Sequence, residues 1–135
     1  MKPFALPAAF IGIAILAVPP AHAEVYSVGA EAGCTHSDLQ AAVDTARTAP
    51  DGPHRIKLLA GELVLSGDVA VFNPGSNIAI EGGYASCDDA SPAEGARTVL
   101  RQTSAGDSVM RIGSSPANGR RYITLRRLTL TGGNA

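Results

Sequence analysis

The sequence predicts a mainly β protein, a coiled stack of short strands closed at its start by one helix. Three observations predict it. Ile123 and Leu125 share one parity and Leu128 and Leu130 the other, so a straight strand would send the two pairs to opposite faces, and a bend at Arg126-Arg127 returns all four to one interior. Apolar strand starts at Ile56, Ile78, Val99 and Ile123 recur at intervals of 22, 21 and 24 residues, within the range of solenoid repeats. An amphipathic helical segment precedes these strands, as a cap over the first rung of a stack would. An antiparallel sandwich also uses short strands with regular turns, but the preceding helix and the phase switch fit the coiled stack better.

The chain opens with a secretory pattern. Lys2 gives a positive start, Phe10–Val18 is an apolar run, and Ala21-His22-Ala23 fits small-x-small cleavage. The run is shorter than the roughly 20 residues of a bilayer span, and Pro19-Pro20 ends it. Residues 1–23 are therefore expected to be a signal peptide, leaving 112 mature residues from Glu24 and a destination in the periplasm, on the outer surface or outside the cell. No Cys follows the cleavage site to carry an amino-terminal lipid. That length allows one domain with a modest core. Without Lys2, ten Arg plus Lys face twelve Asp plus Glu, a formal charge of −2, which gives no general attraction for nucleic acid or anionic membranes.

Cys34 and Cys87 both lie in the mature part, and an even count in an exported chain favours a disulfide. Closing so long a loop removes denatured-state entropy worth about 4 kcal/mol. A catalytic thiol would need a base, and His36, two residues after Cys34, is the one candidate close in sequence. The structural use is the stronger reading.

Along the mature chain, residues 24–53 form an opening strand and a capping helix. Tyr26-Ser27-Val28 is the strand, followed by a turn through Gly29 and Gly33. Ser37-Asp38-Leu39-Gln40 has the spacing of a capping box, and Leu39, Ala42, Val43 and Ala46 mark one helical face. The helix stops before Pro50-Asp51-Gly52-Pro53. Its narrow, small-sided face suits lying across the open end of a strand stack.

Residues 54–135 carry the strands. Ile56 and Leu58, Leu63 and Leu65, Val69 and Val71, and Ile78 and Ile80 alternate with smaller or polar residues, and Thr98–Leu100, Ser108–Ile112 and the terminal pair follow. Ala60-Gly61, Ser66-Gly67 and Asn73-Pro74-Gly75 supply corners, the last with Pro at the second position of a turn and Gly at the third. Gly82-Gly83 and Gly132-Gly133 fit turns better than a phosphate-cradling loop.

The signal peptide, the Tyr-x-Val strand, Gly33-Cys34, the segment Leu39–Ala46, Ile56–Gly61, Ile80–Tyr84 and Leu125–Ala135 together resemble the beginning of a bacterial secreted right-handed parallel β-helix protein of the pectin-lyase-like class, which includes autotransporter passengers. The resemblance covers nearly all of the mature chain. It implies a right-handed parallel β-helix start with an N-terminal α-helical cap, in which Cys34 and Cys87 tie the cap to an early coil. Proteins of this class continue for many more coils, so the resemblance implies missing coils, or self-association, at an open end after Gly132-Gly133-Asn134-Ala135. It implies little about chemistry, because enzymes and adhesins share these strands and corners.

Enzymes of that class need clustered acids on one face. Asp88-Asp89 is the one adjacent acidic pair, in a loop that reads as a solvated turn, and neither Glu81 nor Asp107 aligns with a catalytic carboxylate. No glycine- and aspartate-rich nonapeptide suggests a calcium-stacked roll. His54 sits in a Pro- and Gly-rich turn without Cys or His at zinc spacing, and is expected to be exposed. No catalytic residue, metal ligand or cofactor site is assigned. Arg120, Arg121, Arg126 and Arg127 form a candidate polyanion-binding corner, since guanidinium forks match carboxylate and phosphate oxygens. The leading expectation is an exported, non-catalytic segment with a structural, adhesive or surface-binding role and a polysaccharide as candidate partner. The alternatives are the front of a polysaccharide lyase or glycoside hydrolase whose active-site coils lie beyond this chain, and a polyanion-binding module using the Arg120–Arg127 corner.

Overall fold

The computed structural model describes residues 23–49, 52–113 and 119–132. The expected leader, except Ala23, and the Gly133-Asn134-Ala135 ending lie outside the described residues. The elements are β1 (Val25–Val28), α1 (Leu39–Thr48), β2 (His54–Leu59), β3 (Gly61–Leu65), β4 (Val69–Phe72), β5 (Ile78–Tyr84), β6 (Thr98–Gln102), β7 (Met110–Gly113), β8 (Ile123–Arg126) and β9 (Leu128–Gly132). The protein is mainly β, with three sheets ordered β1-β2-β5-β8, β3-β6-β9 and β4-β7. Every pairing between these strands is parallel. Parallel neighbours need a crossover, and here strands of the other two sheets supply it: the chain runs β2-β3-β4, returns through β5-β6-β7, and enters the first two sheets again as β8 and β9.

The register corrects the even spacing read from the sequence. His54 pairs with Ile78 and Ile78 with Ile123, while Gly61 pairs with Thr98 and Thr98 with Leu128. Val99 thus belongs beside β3, in a different sheet from Ile56, Ile78 and Ile123. Equal intervals compared strands of different sheets, and the true passes differ in length because the connections after β5, β6 and β7 are longer than the corners elsewhere.

Strand alternation builds the core. Tyr26, Ile56 and Ile80 form one inward row across β1, β2 and β5, and all three are buried. Val28 and Leu58, Val69 and Val71, and Leu65 and Leu100 bury beside them. Leu125 continues the row of Ile80, and Leu130 the row of Leu100, yet they are 38% and 47% exposed. The bend does bring Ile123, Leu125, Leu128 and Leu130 to one interior side, but β8 and β9 are edge strands, so that interior is covered on one side only. Arg127 makes the bend, with φ 53 between the two strands. At the earlier corner after β4 the left-handed residue is Asn73 (φ 48) rather than the expected Gly75, which suits Asn as the residue after Gly best able to adopt that conformation.

The corners between the first two sheets are knitted by Thr98. Its buried hydroxyl donates to Leu59 O at 2.6 Å and accepts from Gly83 N at 3.0 Å. A side chain at Gly82 would meet Arg127 O and Thr98 Oγ1, each 2.6 Å from its Cβ, so this corner admits only glycine without backbone movement.

Helix α1 buries Leu39, Ala42, Val43 and Ala46 against the start of the stack, packing on β1, β2 and β4. Its N-cap is Asp38 rather than the expected Ser37: the carboxylate accepts from Ala41 N at 3.0 Å. The capping box does not form, because Gln40 is used elsewhere. Its side-chain amide accepts from Ala70 N at 2.7 Å and donates to Ala70 O at 3.2 Å. One side chain thereby replaces a neighbouring strand along part of β4. Gln40→Ala frees both Ala70 groups and is expected to cost about 1–2 kcal/mol while speeding hydrogen exchange at the Ala70 amide. Unchanged protection of that amide would mean the edge is covered in another way.

Candidate functional site

The outer face of the sheet β1-β2-β5-β8 gathers Arg55, Lys57, Glu81 and Arg126. Because Ile56 and Ile80 point inward, the opposite parity of β2, β5 and β8 points out. One outer row runs Ser27, Lys57, Glu81, Arg126 across the four strands, and the next runs Val25, Arg55, Ala79, Thr124. Neighbouring strands are about 4.8 Å apart, so Glu81 stands between Lys57 and Arg126.

Much of this face serves the loop that follows β5. Lys57 Nζ donates to Cys87 O at 2.6 Å and Asp89 O at 2.8 Å, and sits 5.3 Å from the centre of the Tyr84 ring. Tyr84 is fully buried and its hydroxyl donates to Glu81 at 2.9 Å. Burial raises the Tyr84 hydroxyl above the ordinary phenol range, the Glu81 carboxylate adds to the rise, and Arg55 opposes it. Arg127 donates to Ala93 O at 3.2 Å, pinning the far end of the same loop.

The Cys34–Cys87 disulfide, with 5.1 Å between Cα atoms, joins this loop to the one between β1 and α1. The sequence-based pairing is therefore present, and the alternative of Cys34 as a nucleophile served by His36 does not form. His36 instead has its ring nitrogens 2.9 Å from Thr35 Oγ1 and 3.2 Å from Thr45 Oγ1, linking the loop to α1. Glu31 approaches the two sulfurs, but sulfurs joined to each other offer no thiolate to a metal.

Asp88 is exposed and Asp89 closes the turn by accepting from Ser86 N at 2.9 Å, in keeping with a solvated loop. Asp107 lies in the connection between β6 and β7. His54, expected at the surface, is buried: it opens β2, where Nδ1 accepts from Glu24 N at 3.3 Å and the ring packs 6.1 Å from Tyr26. The Pro- and Gly-rich context suggested a turn, but the strand starts one residue after Pro53 and its alternation turns His54 inward.

The four arginines do not form one corner. Arg120 and Arg121 precede β8, Arg126 ends it and Arg127 makes the bend after it. The extended stretch between the pairs spans about 15 Å, so only Arg126 joins the outer row beside Glu81. Sequence reasoning missed Arg55, Lys57 and Tyr84 as parts of this face, although the parity of Ile56 and Ile80 already placed Arg55, Lys57 and Glu81 on one side. Three ion pairs at or near the surface occupy other cations: Arg101–Glu62 at 2.9 Å, Arg111 with the half-buried Asp68 at 2.7 Å, and Arg47–Asp44 at 3.4 Å. Each is worth little in water.

At the other end of the same sheet, burial raises the Tyr26 hydroxyl to about 12, with its hydrogen bond to the Glu24 carboxylate adding to the effect. The folded chain thus keeps a proton that the unfolded chain releases near pH 10. Stability is expected to fall as pH rises from about 10 to 12, because the unfolded state binds fewer protons there. Unfolding followed by circular dichroism across that range tests this: Tyr26→Phe should flatten the alkaline decline, and an equally steep decline in the variant would refute the assignment.

Comparison with known proteins finds no matching family model, no matching curated protein and no matching solved structure. Among the described residues, no helix is long and apolar enough to cross a membrane.

Proposed function

We propose that this chain is the capped amino-terminal start of an exported right-handed parallel β-helix with a structural or adhesive role. The observation that carries the reading is the repeated course β2-β3-β4, β5-β6-β7 in parallel register beneath a helix whose Gln40 pairs with the free backbone of β4. Such a course adds length by repetition and presents broad outer faces, which suits a scaffold or a surface contact. The disulfide fits export, since bridges persist in oxidising compartments. In this reading β8 and β9 are where further coils stack, as Leu125 and Leu130 continue the buried rows of Ile80 and Leu100.

Export is tested by expressing the full chain in a bacterium and weighing the product after thiol alkylation. The expected species begins at Glu24, lies outside the cytoplasm and carries no alkylated thiol. Retention in the cytoplasm at full mass would overturn the export part of the reading. The role itself is tested by retention of the purified protein on immobilised acidic polysaccharide and on intact bacterial cells. Saturable retention without release of sugar products is expected. Reproducible cleavage of pectin or another uronate polymer would replace the scaffold reading with an enzymatic one.

A further inference from the structure

The three sheets do not start alike. In the first, β1 lies along β2, and the backbone of His36 bridges onto Val28. In the third, the Gln40 amide pairs with Ala70 of β4. The second sheet begins at β3, whose single strand neighbour among the described residues is β6.

The direction of the unpaired groups on β3 follows from its ladder. Gly61 N donates to Arg97 O, on the β6 side, and in a strand alternate residues direct their N–H and C=O to alternate sides. Leu63 and Leu65 therefore also face β6, while Glu62 and Val64 direct their backbone groups the other way. No described residue hydrogen-bonds those groups. Val64 is half exposed and Glu62 is exposed.

Two hollows flank this edge on the cap side. One, of about 210 Å³, is lined by Val28, Ala30, Leu59 and Leu63 among others. The second, of about 280 Å³, lies at the end of β3, where Asp38, Gln40 and Asp68 meet Leu65 and Val69. Asp68 is paired with Arg111. Asp38 accepts from Ala41 N and has no cation partner among the described residues. The first hollow is mainly apolar, with Glu62, paired to Arg101, as its one charged lining residue. The second carries the Asp38 carboxylate, which caps α1 but faces no cation among the described residues.

We propose that the free edge of β3 is a docking site for an extended peptide segment of a partner protein, which adds as a strand parallel to β3. Its inward side chains would be apolar at the hollow beside Leu63 and basic at the hollow beside Asp38. Backbone hydrogen bonds to Glu62 and Val64 supply attachment, and the two hollows supply selectivity, as in other strand-addition complexes. The parallel direction matches every strand pairing of this fold. The site lies at the capped end, away from β8 and β9, and does not depend on export or on the scaffold role.

The test uses the full chain with its disulfide intact and the probe acetyl-Thr-Val-Thr-Val-Thr-Lys-amide. Binding is followed by amide chemical shifts and hydrogen exchange. Saturable shifts centred on Glu62 and Val64, with slowed exchange at both amides, are expected. Methylating the alternate peptide nitrogens, or introducing Val64→Pro on the protein, should each weaken binding by about tenfold, the effect of losing one or two backbone hydrogen bonds. Proline is tolerated on an edge strand, and an unchanged spectrum outside β3 shows that the variant is folded. Asp38→Asn keeps an oxygen for the helix cap and should weaken the Lys-bearing probe more than the same peptide ending in Thr. Three outcomes overturn the proposal: no shift at millimolar peptide, binding indifferent to peptide methylation, or shifts centred on β8 and β9. Concentration-dependent protection of Glu62 and Val64 without peptide also overturns it, and identifies a second copy of this chain as the occupant.

Discussion

Breaking the Cys34–Cys87 bond is expected to lower stability by about 4 kcal/mol. The bridge closes a loop of 53 residues, and loop-closure entropy in the denatured chain grows slowly but steadily with such lengths. It also joins two segments that are otherwise held by hydrogen bonds. One is the loop between β1 and α1, held to β1 by Thr35, whose hydroxyl bonds Ser27 N at 2.8 Å and Ser27 O at 3.0 Å, and by the His36 backbone, which bonds Ser27 O and Gly29 N. The other is the loop after β5, held by Lys57 and Arg127. Urea unfolding of the oxidised protein beside a Cys34→Ser, Cys87→Ser double variant measures the loss. A drop of that size is a large share of the stability of a domain this small. Exchange at Thr35 and His36 should speed up together with the global loss, since the cap loop is released. A double variant within 1 kcal/mol of the oxidised protein would show that the loops hold the cap without the bridge.

Leu100→Ala and Leu130→Ala should differ several-fold, although both leucines occupy one inward row. Leu100 lies between Leu63 of β3 and Leu130 of β9 and is fully buried. Its truncation removes packed methyl groups and leaves a cavity, a loss of about 2–5 kcal/mol. Leu130 is 47% exposed, so its truncation gives up less burial and opens no closed cavity, and about 1 kcal/mol or less is expected. Thermal or urea denaturation of the two variants decides the point. Equal losses would mean that Leu130 is covered in solution, for example by further coils or by a second copy of the chain stacked on β9.

The rows that these variants probe were legible in the sequence. Alternation at Ile56 and Leu58, Leu63 and Leu65, Val69 and Val71, and Ile78 and Ile80 named strands that exist, and each of these residues except the half-buried Leu63 is buried. The helix was legible from Leu39, Ala42, Val43 and Ala46, all of which bury. Its cap was misplaced by one residue because a capping box requires Gln40 to turn back on its own helix, and Gln40 has a distant backbone to bond instead. His54 was misread for a related reason: the composition of its surroundings suggested a turn, while inward alternation from Ile56 already pointed its side chain to the core.

Local pattern and pairing partner are set by different physics, and the division runs through the whole chain. The sequence by itself determined which residues face inward, where the chain bends at Arg127, that a helix precedes the strands, and which two cysteines join. Each follows from a period of two or 3.6 residues, a phase change, or an even count of thiols. Only the tertiary structure decided which strands are neighbours, because pairing depends on how much chain the connections consume, and parity carries no record of that length. It also decided that Arg120 and Arg121 stand apart from Arg126 and Arg127, that Lys57 holds the loop after β5, and that Gln40 closes the edge of β4 while β3 stays open. Those contacts join residues far apart in sequence, and only a fixed backbone brings their donors and acceptors within bonding distance.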